Sequence, residues 1–307
     1  MKKLVLSQTC QGTVLKQLLM SSEAFKKHFA CEFIPNFEIK DGKPGLAPPA
    51  ALAESLESCD VLIYHDIASY DFPTLLQKLP PHAQAIKIPY VTSTLYWPTH
   101  DYRNPVWLAP RGSTALIPWP CIKLNELIVS LRDKAKVLDA YLQMDIPAAI
   151  DITGILKKQM DYLRQSEKDS IFHVADFVQE QFTQTKLFHL INHPALPIFL
   201  NVTNTILKHL ELPLLAGFKF DPFINHQMPI HPSIIRYHGL TWCNENTTYR
   251  IMDKVVSFEE YVSFYYDCYV EKYKFTMFPE RFPMKAPSLA SLRRLAASFF
   301  RRAARPG

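Results

Sequence analysis

A chain of 307 residues that is 48% hydrophobic and 21% charged is long enough to bury a sizeable core and is neither a disordered nor a fibrous composition. Its formal charge of +5 gathers at one end: from Lys285 onward there are one Lys, five Arg and no acid, so +5 less +6 leaves −1 for residues 1–284, which excludes a basic nucleic-acid footprint on the body. Eight glycines against 24 prolines exclude a glycine-rich phosphate loop, and the six cysteines, none in a C-x-x-C pair, support neither a zinc knuckle nor a disulfide framework.

Four short apolar runs in the first ninety residues, "KLVLSQ", "CEFIPNF", "CDVLIYHDI" and "AQAIKIPY", are too continuously apolar for strands with one wet face. A helical pattern over 10–29 separates the first two. "PPAALAESLESC" precedes the third and "FPTLLQKLP" the fourth. This alternation predicts an α/β fold with a parallel sheet and right-handed crossovers, SGNH/flavodoxin-like in outline. Residues 89–120 form a long loop rich in proline, with Tyr96, Trp97, Trp107 and Trp119; loops this long are usually functional or disordered, and the aromatics argue against disorder.

From 121 to 185 the pattern is helical. "KLFHLIN" returns to strand character, and "PIFLNVTNTILKHL" is a helix with Pro197 at its start, where the missing N–H costs nothing. After a loop-rich stretch, "SFEEYVSFYYDCYVEKY" is a late helix in which Ser257 and Glu260 have capping-box spacing. The second half is therefore largely helical. The expected organisation is one catalytic domain over 1–284 and a basic amphipathic helix over 285–307, with Leu289, Leu292, Phe299 and Phe300 opposite Arg293, Arg294, Arg301, Arg302 and Arg305. Such a helix reads as a membrane-surface or partner-binding element; the alternative is a helix packed on its own domain. No apolar run reaches the about 18–20 residues of a membrane span or forms a signal-peptide core after Lys2 and Lys3, so a reducing cytoplasm is the expected compartment.

Active residues of parallel α/β sheets gather at the carboxyl ends of strands, beside helix N-termini. Cys10 lies at such a junction in "VLSQTCQGTVLKQLL". Helix-terminal N–H groups stabilise a thiolate, and those of Gln11 and Gly12 are candidate donors to an oxyanion. Gly12 lets a carbonyl approach closely. The competing reading is that Cys10 is a small buried hydrophobe. A second strand end, Asn192-His193-Pro194, offers a base for the thiol; the competing reading is a helix-capping histidine, and His189 is its rival on the same strand face. His226, His231 and His238 are spaced by five and seven, which fits no helical or hairpin pair of metal ligands, and no metal is expected.

"LVLSQTCQ", "CDVLIYHDI", "AIKIPYVTSTLYWP", "LFHLINHP", "IHPSIIRYHGLTW" and "SFEEYVSFYYDCY" occur in this order. Together they resemble the WcbI-type family of bacterial capsule-polysaccharide acetyltransferases, over roughly residues 1–275. The resemblance implies acetyl transfer from acetyl-CoA to a sugar hydroxyl of a surface polysaccharide or its nucleotide-sugar precursor, with Cys10 as catalytic cysteine, Gln11 its neighbour and His193 the base. The family has Gly-Asn before the cysteine where this chain has Gln8-Thr9, leaving Gln8 or Gln11 as the side-chain donor. Asp66, at the end of the third strand, or Asn192 completes the triad. CoA phosphates need cationic partners, and Arg103 and Arg111 in the aromatic loop are the candidates; the alternative is that they are solvated and the tryptophans cover a core edge. The implied site is peripheral to the inner membrane if the basic tail binds lipid. Two rivals stand beside it: an acyl-ester or thioester hydrolase with the same Cys–His pair, and a non-catalytic scaffold of a polysaccharide-assembly complex.

Overall fold

Strand β1 (Lys2–Gln8) runs into helix α1 (Gln11–Ser21), followed by α2 (Glu23–His28), β2 (Phe29–Pro35), a hairpin of β3 (Phe37–Lys40) and β4 (Lys43–Leu46), α3 (Ala50–Leu56), β5 (Val61–Tyr64), α4 (Phe72–Leu76) and β6 (Gln84–Lys87). The computed structural model describes residues 1–277 apart from 41–42, 48–49, 68–69, 101–119, 219, 222 and 252–253. Strands β2, β1, β5 and β6 make one four-stranded sheet in that order, all neighbours parallel. Chain order reverses between β1 and β5, and such a switch point leaves a crevice beyond the carboxyl ends of the strands.

The central strands β1 and β5 are buried on both faces, which is why they read as unbroken apolar runs. Leu4, Leu6, Ile63 and Ile86 face one core with Leu15 and Leu19 of α1. Val5 and Leu62 face the other, against Leu52 and Leu56 of α3 and Phe72 of α4. The expected helix over 10–29 is in fact two. Ser22 is extended (φ −81, ψ 116) and its hydroxyl accepts the Phe25 N–H at 3.2 Å, ending α1 and capping α2.

The helices of the second half are α5 (Ile122–Leu131), α6 (Lys134–Leu142), α7 (Ile146–Ala149), α8 (Ile152–Ser166), α9 (Val174–Gln181), α10 (Leu196–His209), α11 (Pro232–His238) and α12 (Phe258–Met277). Among them lie two hairpins, β7 (Phe188–Leu190) with β8 (His193–Pro194) and β9 (Tyr249–Ile251) with β10 (Lys254–Val256). The capping box of α12 forms in both directions: Ser257 N–H donates to Glu260 at 2.7 Å and Glu260 N–H to Ser257 Oγ at 3.1 Å. One buried cluster joins the sheet to these helices, from Leu4 to Cys268. No helix among the described residues is long and apolar enough to cross a membrane. The basic segment 285–307, Arg103, Arg111, Trp107 and Trp119 lie outside the described residues.

Candidate functional site

Gln11, the first residue of α1, holds the site together. Its side chain is buried, and Nε2 donates to two carbonyls, Val91 O at 2.8 Å and Asn192 O at 3.0 Å. Oε1 accepts the Val91 N–H at 3.4 Å. Gln11 follows Cys10 and Asn192 precedes His193, so one amide sets the β1–α1 junction beside the β7–β8 turn, across 181 residues of sequence. The segment after β6 is fastened from its other side by Gln159 of α8, whose Oε1 accepts from Thr94 N at 3.0 Å and whose Nε2 donates to Thr92 O at 3.0 Å. Ser93 N–H also donates to Ile191 O at 2.8 Å. "KLFHLIN" thus ends in a tight reversal, and the strand that enters α10 is β8 rather than a continuation of β7.

Cys10 is half-buried at the N-cap of α1 and makes no capping hydrogen bond. Burial pushes its thiol above the ordinary value, while the Thr9 side chain and the Gln11 backbone N–H act in the opposite sense. The resting sulfur is therefore a protonated thiol, and the helix terminus does not make it a thiolate on its own. The expected pair of backbone donors is reduced. Gly12 N–H is taken by Thr9 O at 2.9 Å, whereas Gln11 N–H makes only a 3.4 Å contact to Thr9 Oγ1. Gly12 has a different use from the one expected: a Cβ there would lie 2.5 Å from Phe33 Cε2 and 2.8 Å from Gln8 Cβ. Its missing side chain lets α1 close on the sheet.

His193 lies flat on Phe223, ring centroids 4.1 Å apart and planes 7° apart, with the His226 ring at 5.9 Å. Burial, with His226 and His189 adding to it, pushes His193 down to about 3. It is neutral at ordinary pH, and in the ligand-free protein the same burial opposes its taking up a proton. Its Nδ1 is buried without a hydrogen-bond partner, as is Asn192 Oδ1, so Asn192 does not orient the ring directly. Asp66 does not either. It is exposed and ion-paired with Lys87 at 3.3 Å, because the two-residue strand period turns it to the α3–α4 side while His65 turns inward. The carboxylate in the histidine cluster is Asp221, 2.7 Å from His189 Nε2. Sequence reasoning passed over Asp221, which sits in a loop with no periodic signal.

Orphaned polar atoms collect at this sheet edge. Ser7 Oγ, both amide atoms of Gln8, Asn36 Nδ2 and His65 Nδ1 are all buried without a partner. Gln8 and His65 each follow a paired residue of β1 and β5, Ser7 and Tyr64, and so are neighbours. With Gln11, Val91, Pro194 and Phe199 they line a cavity of about 10 Å³, close to the room one water needs. Tyr96 and Trp97, by contrast, belong to the core: Tyr96 O–H donates to Phe182 O at 2.9 Å and Trp97 Nε1 to Pro229 O at 3.0 Å. Neither ring is free to stack on a ligand. Among the described residues no group of three or more His, Cys, Asp or Glu is arranged to hold a metal ion.

Residues 3–215 match the family described as "Polysaccharide biosynthesis enzyme WcbI". The chain belongs to the WcbI family. A WcbI structure, described as the native protein without a disulfide bond between CoA and one of its cysteines, superposes with a TM-score of 0.72 at 20% identity, covering 99% of both chains. That likeness supports the WcbI fold for the described residues, with the parallel sheet first and the helices after it. A mutant metal-free periplasmic metal-binding protein from candidatus liberibacter asiaticus reaches a TM-score of only 0.21 at 10% identity, over 88% of this chain and 99% of that one, and carries no argument. No curated protein matches significantly.

Proposed function

We propose that this WcbI-family chain transfers an acetyl group from acetyl-CoA to a sugar hydroxyl of a capsular or other surface polysaccharide, with Cys10 and His193 as the reacting pair. The observation that carries this reading is the Gln11–Asn192 hydrogen bond at 3.0 Å, which holds the Cys10 and His193 segments at one sheet edge. Membership of a family of polysaccharide biosynthesis enzymes supports the acceptor class. The description of a related structure by CoA and a cysteine supports the donor.

Neutral His193 takes the Sγ proton as Cys10 attacks the thioester carbonyl. The C–S bond to CoA breaks, and the CoA sulfur leaves with that proton. Gln11 N–H, among the groups that favour the Cys10 thiolate, is the backbone donor for the oxyanion. The acceptor hydroxyl then attacks the acetyl-Cys10 carbonyl and gives its proton to His193. The Cys10 sulfur departs and recovers the proton. Arg103 and Arg111 are assigned to the CoA phosphates, and the chemistry to the cytoplasmic side, with segment 285–307 on the inner membrane surface.

Incubation with acetyl-CoA alone, followed by peptide mass spectrometry, tests the scheme. One acetyl group on Cys10, absent from Cys10→Ala, is expected. Full transfer to a sugar acceptor by Cys10→Ala overturns it. A Cys10→Ser enzyme that keeps a substantial rate favours direct attack of the hydroxyl on acetyl-CoA, and acetate release unaffected by acceptor favours a hydrolase.

A further inference from the structure

His193 needs something that the groups touching it do not supply. On taking a proton it becomes a buried cation carrying N–H at Nδ1, yet that atom has no partner. Its titratable neighbours, His189 from β7 and His226 from the loop before β9, oppose the charge. Asp221 organises the residues around this ring. Its Oδ2 accepts from His189 Nε2 at 2.7 Å and from Leu196 N–H at 3.2 Å, and its Oδ1 accepts from Phe223 N–H at 3.3 Å. One carboxylate therefore fixes β7, the first turn of α10 and the residue whose ring lies on His193.

Because the carboxylate accepts from Nε2, a singly protonated His189 ring carries its proton there and leaves Nδ1 as a lone-pair acceptor. That atom is buried and unpartnered. The cation that interacts with Asp221 is Lys186, just before β7, held by Gln227 at 3.0 Å and by the Trp242 and Tyr249 rings. It favours the ionised carboxylate without taking the oxygen that His189 uses.

We infer that Asp221, acting through His189 and Phe223, is the positioning carboxylate for His193, the role expected of Asp66 or Asn192; this rests on His193 being the base. Asp221 holds β7 through the His189 ring and the Phe223 backbone through its Oδ1. Through Phe223 it also sets the plane in which the His193 ring lies.

The test uses the full chain and two readouts. Nitrogen-15 spectra of the imidazole rings should show His189 as the Nε2–H tautomer in wild type and a tautomer mixture in Asp221→Asn. Acetyl transfer by Asp221→Asn should fall about tenfold or more in kcat with KM for acetyl-CoA unchanged, and Asp221→Glu should recover part of it. If Asp221→Asn unfolds, His189→Gln keeps an amide donor to Asp221 and should show the same kcat loss. Unchanged kcat in a folded variant, beside a working wild type, overturns the inference and leaves the proposed function standing. The expected tautomer change beside full activity of His193→Ala overturns both the base assignment and the role for Asp221, and spares only the tautomer.

Discussion

Gln11→Glu is the sharpest single change to this site, because it keeps shape and reverses one end of the side chain. In the wild type Nε2 faces two carbonyls, at 2.8 and 3.0 Å, and Oε1 faces an N–H; this orientation is the one the network permits. A carboxylate there puts an oxygen against both carbonyls. Losing two net hydrogen bonds costs about 2 kcal/mol, and stranding two buried carbonyls adds about 1–3 kcal/mol each. Protonation relieves part of this, since the acid O–H can serve one carbonyl. The folded-state pKa of the introduced carboxyl is thus raised above the unfolded value of about 4.3. Below that value both states are protonated and only the residual loss, about 2 kcal/mol, remains. As pH rises the unfolded state ionises first, and stability falls by about 1.4 kcal/mol per pH unit until the folded state ionises as well. Urea unfolding at pH 5 and pH 8 should therefore show a deficit against wild type that grows with pH, and acetyl transfer should fall in parallel as the two segments part. A deficit equal at both pH values, or none, would refute the clamp.

Cys10→Ala and His193→Ala should each lose about a hundredfold or more in acetyl transfer with far-ultraviolet circular dichroism unchanged; wild-type turnover by either removes that residue from the pair. Alkylation of Cys10 in the ligand-free protein should rise about tenfold per pH unit between pH 7 and 9, because burial raises its thiol; a plateau below pH 7 would show a preformed thiolate instead. His65 is pushed down to about 3 by burial, so the unfolded state binds its proton first and stability is lost as pH falls below about 6.5. His65→Gln should flatten that acid limb in chemical denaturation, and an unaltered limb would assign it elsewhere. Gly12→Ala should destabilise by several kcal/mol, since its Cβ would meet Phe33 and Gln8 at 2.5 and 2.8 Å and overpacking typically costs about 1–3 kcal/mol or more; a melting temperature like wild type would mean α1 is free to move off the sheet.

The central strands β1 and β5 were legible because burial on both faces leaves an unbroken apolar run, whereas the part-exposed edge strands β2 and β6 were legible from their alternation with helical patterns. The Cys10 and His193 segments were legible for a related reason: each follows such a run where a helix pattern starts. The β7–β8 reversal was not, because the chain turns at Ile191-Asn192 without glycine or a turn dipeptide and is held by Gln11 and Ser93, which are distant in sequence. The candidacy of Asp66, weighed against Asn192 for the triad, was open to correction from the strand period alone. Val61, Ile63 and His65 share one face and Leu62, Tyr64 and Asp66 the other, and the inward member of the pair is the one that matters to the site. Asp221 had no such signal. Its partners are 32 residues upstream at His189 and 25 upstream at Leu196, and nothing in a loop sequence announces a contact of that span.

The distribution of unmet hydrogen bonds bears on where a ligand would act. A buried polar group without a partner costs about 1–3 kcal/mol, so most proteins carry few. Among the described residues, Ser7, Gln8, Asn36, His65, Asn192 and His193 hold such atoms at the carboxyl edge of the sheet or in the turn Gln11 binds to it, and His189 and Tyr249 hold others. Neighbouring polar side chains with equal burial are satisfied: Gln11 makes three contacts and Gln159 three. The two glutamines therefore hold a rigid frame, and the orphaned groups inside it remain available. Hydrogen bonds from a bound ligand to these atoms would recover free energy at the edge where Gln11 joins the β1–α1 junction to the β7–β8 turn. A ligand that supplied those hydrogen bonds would bind this edge more tightly than one of the same shape that could not.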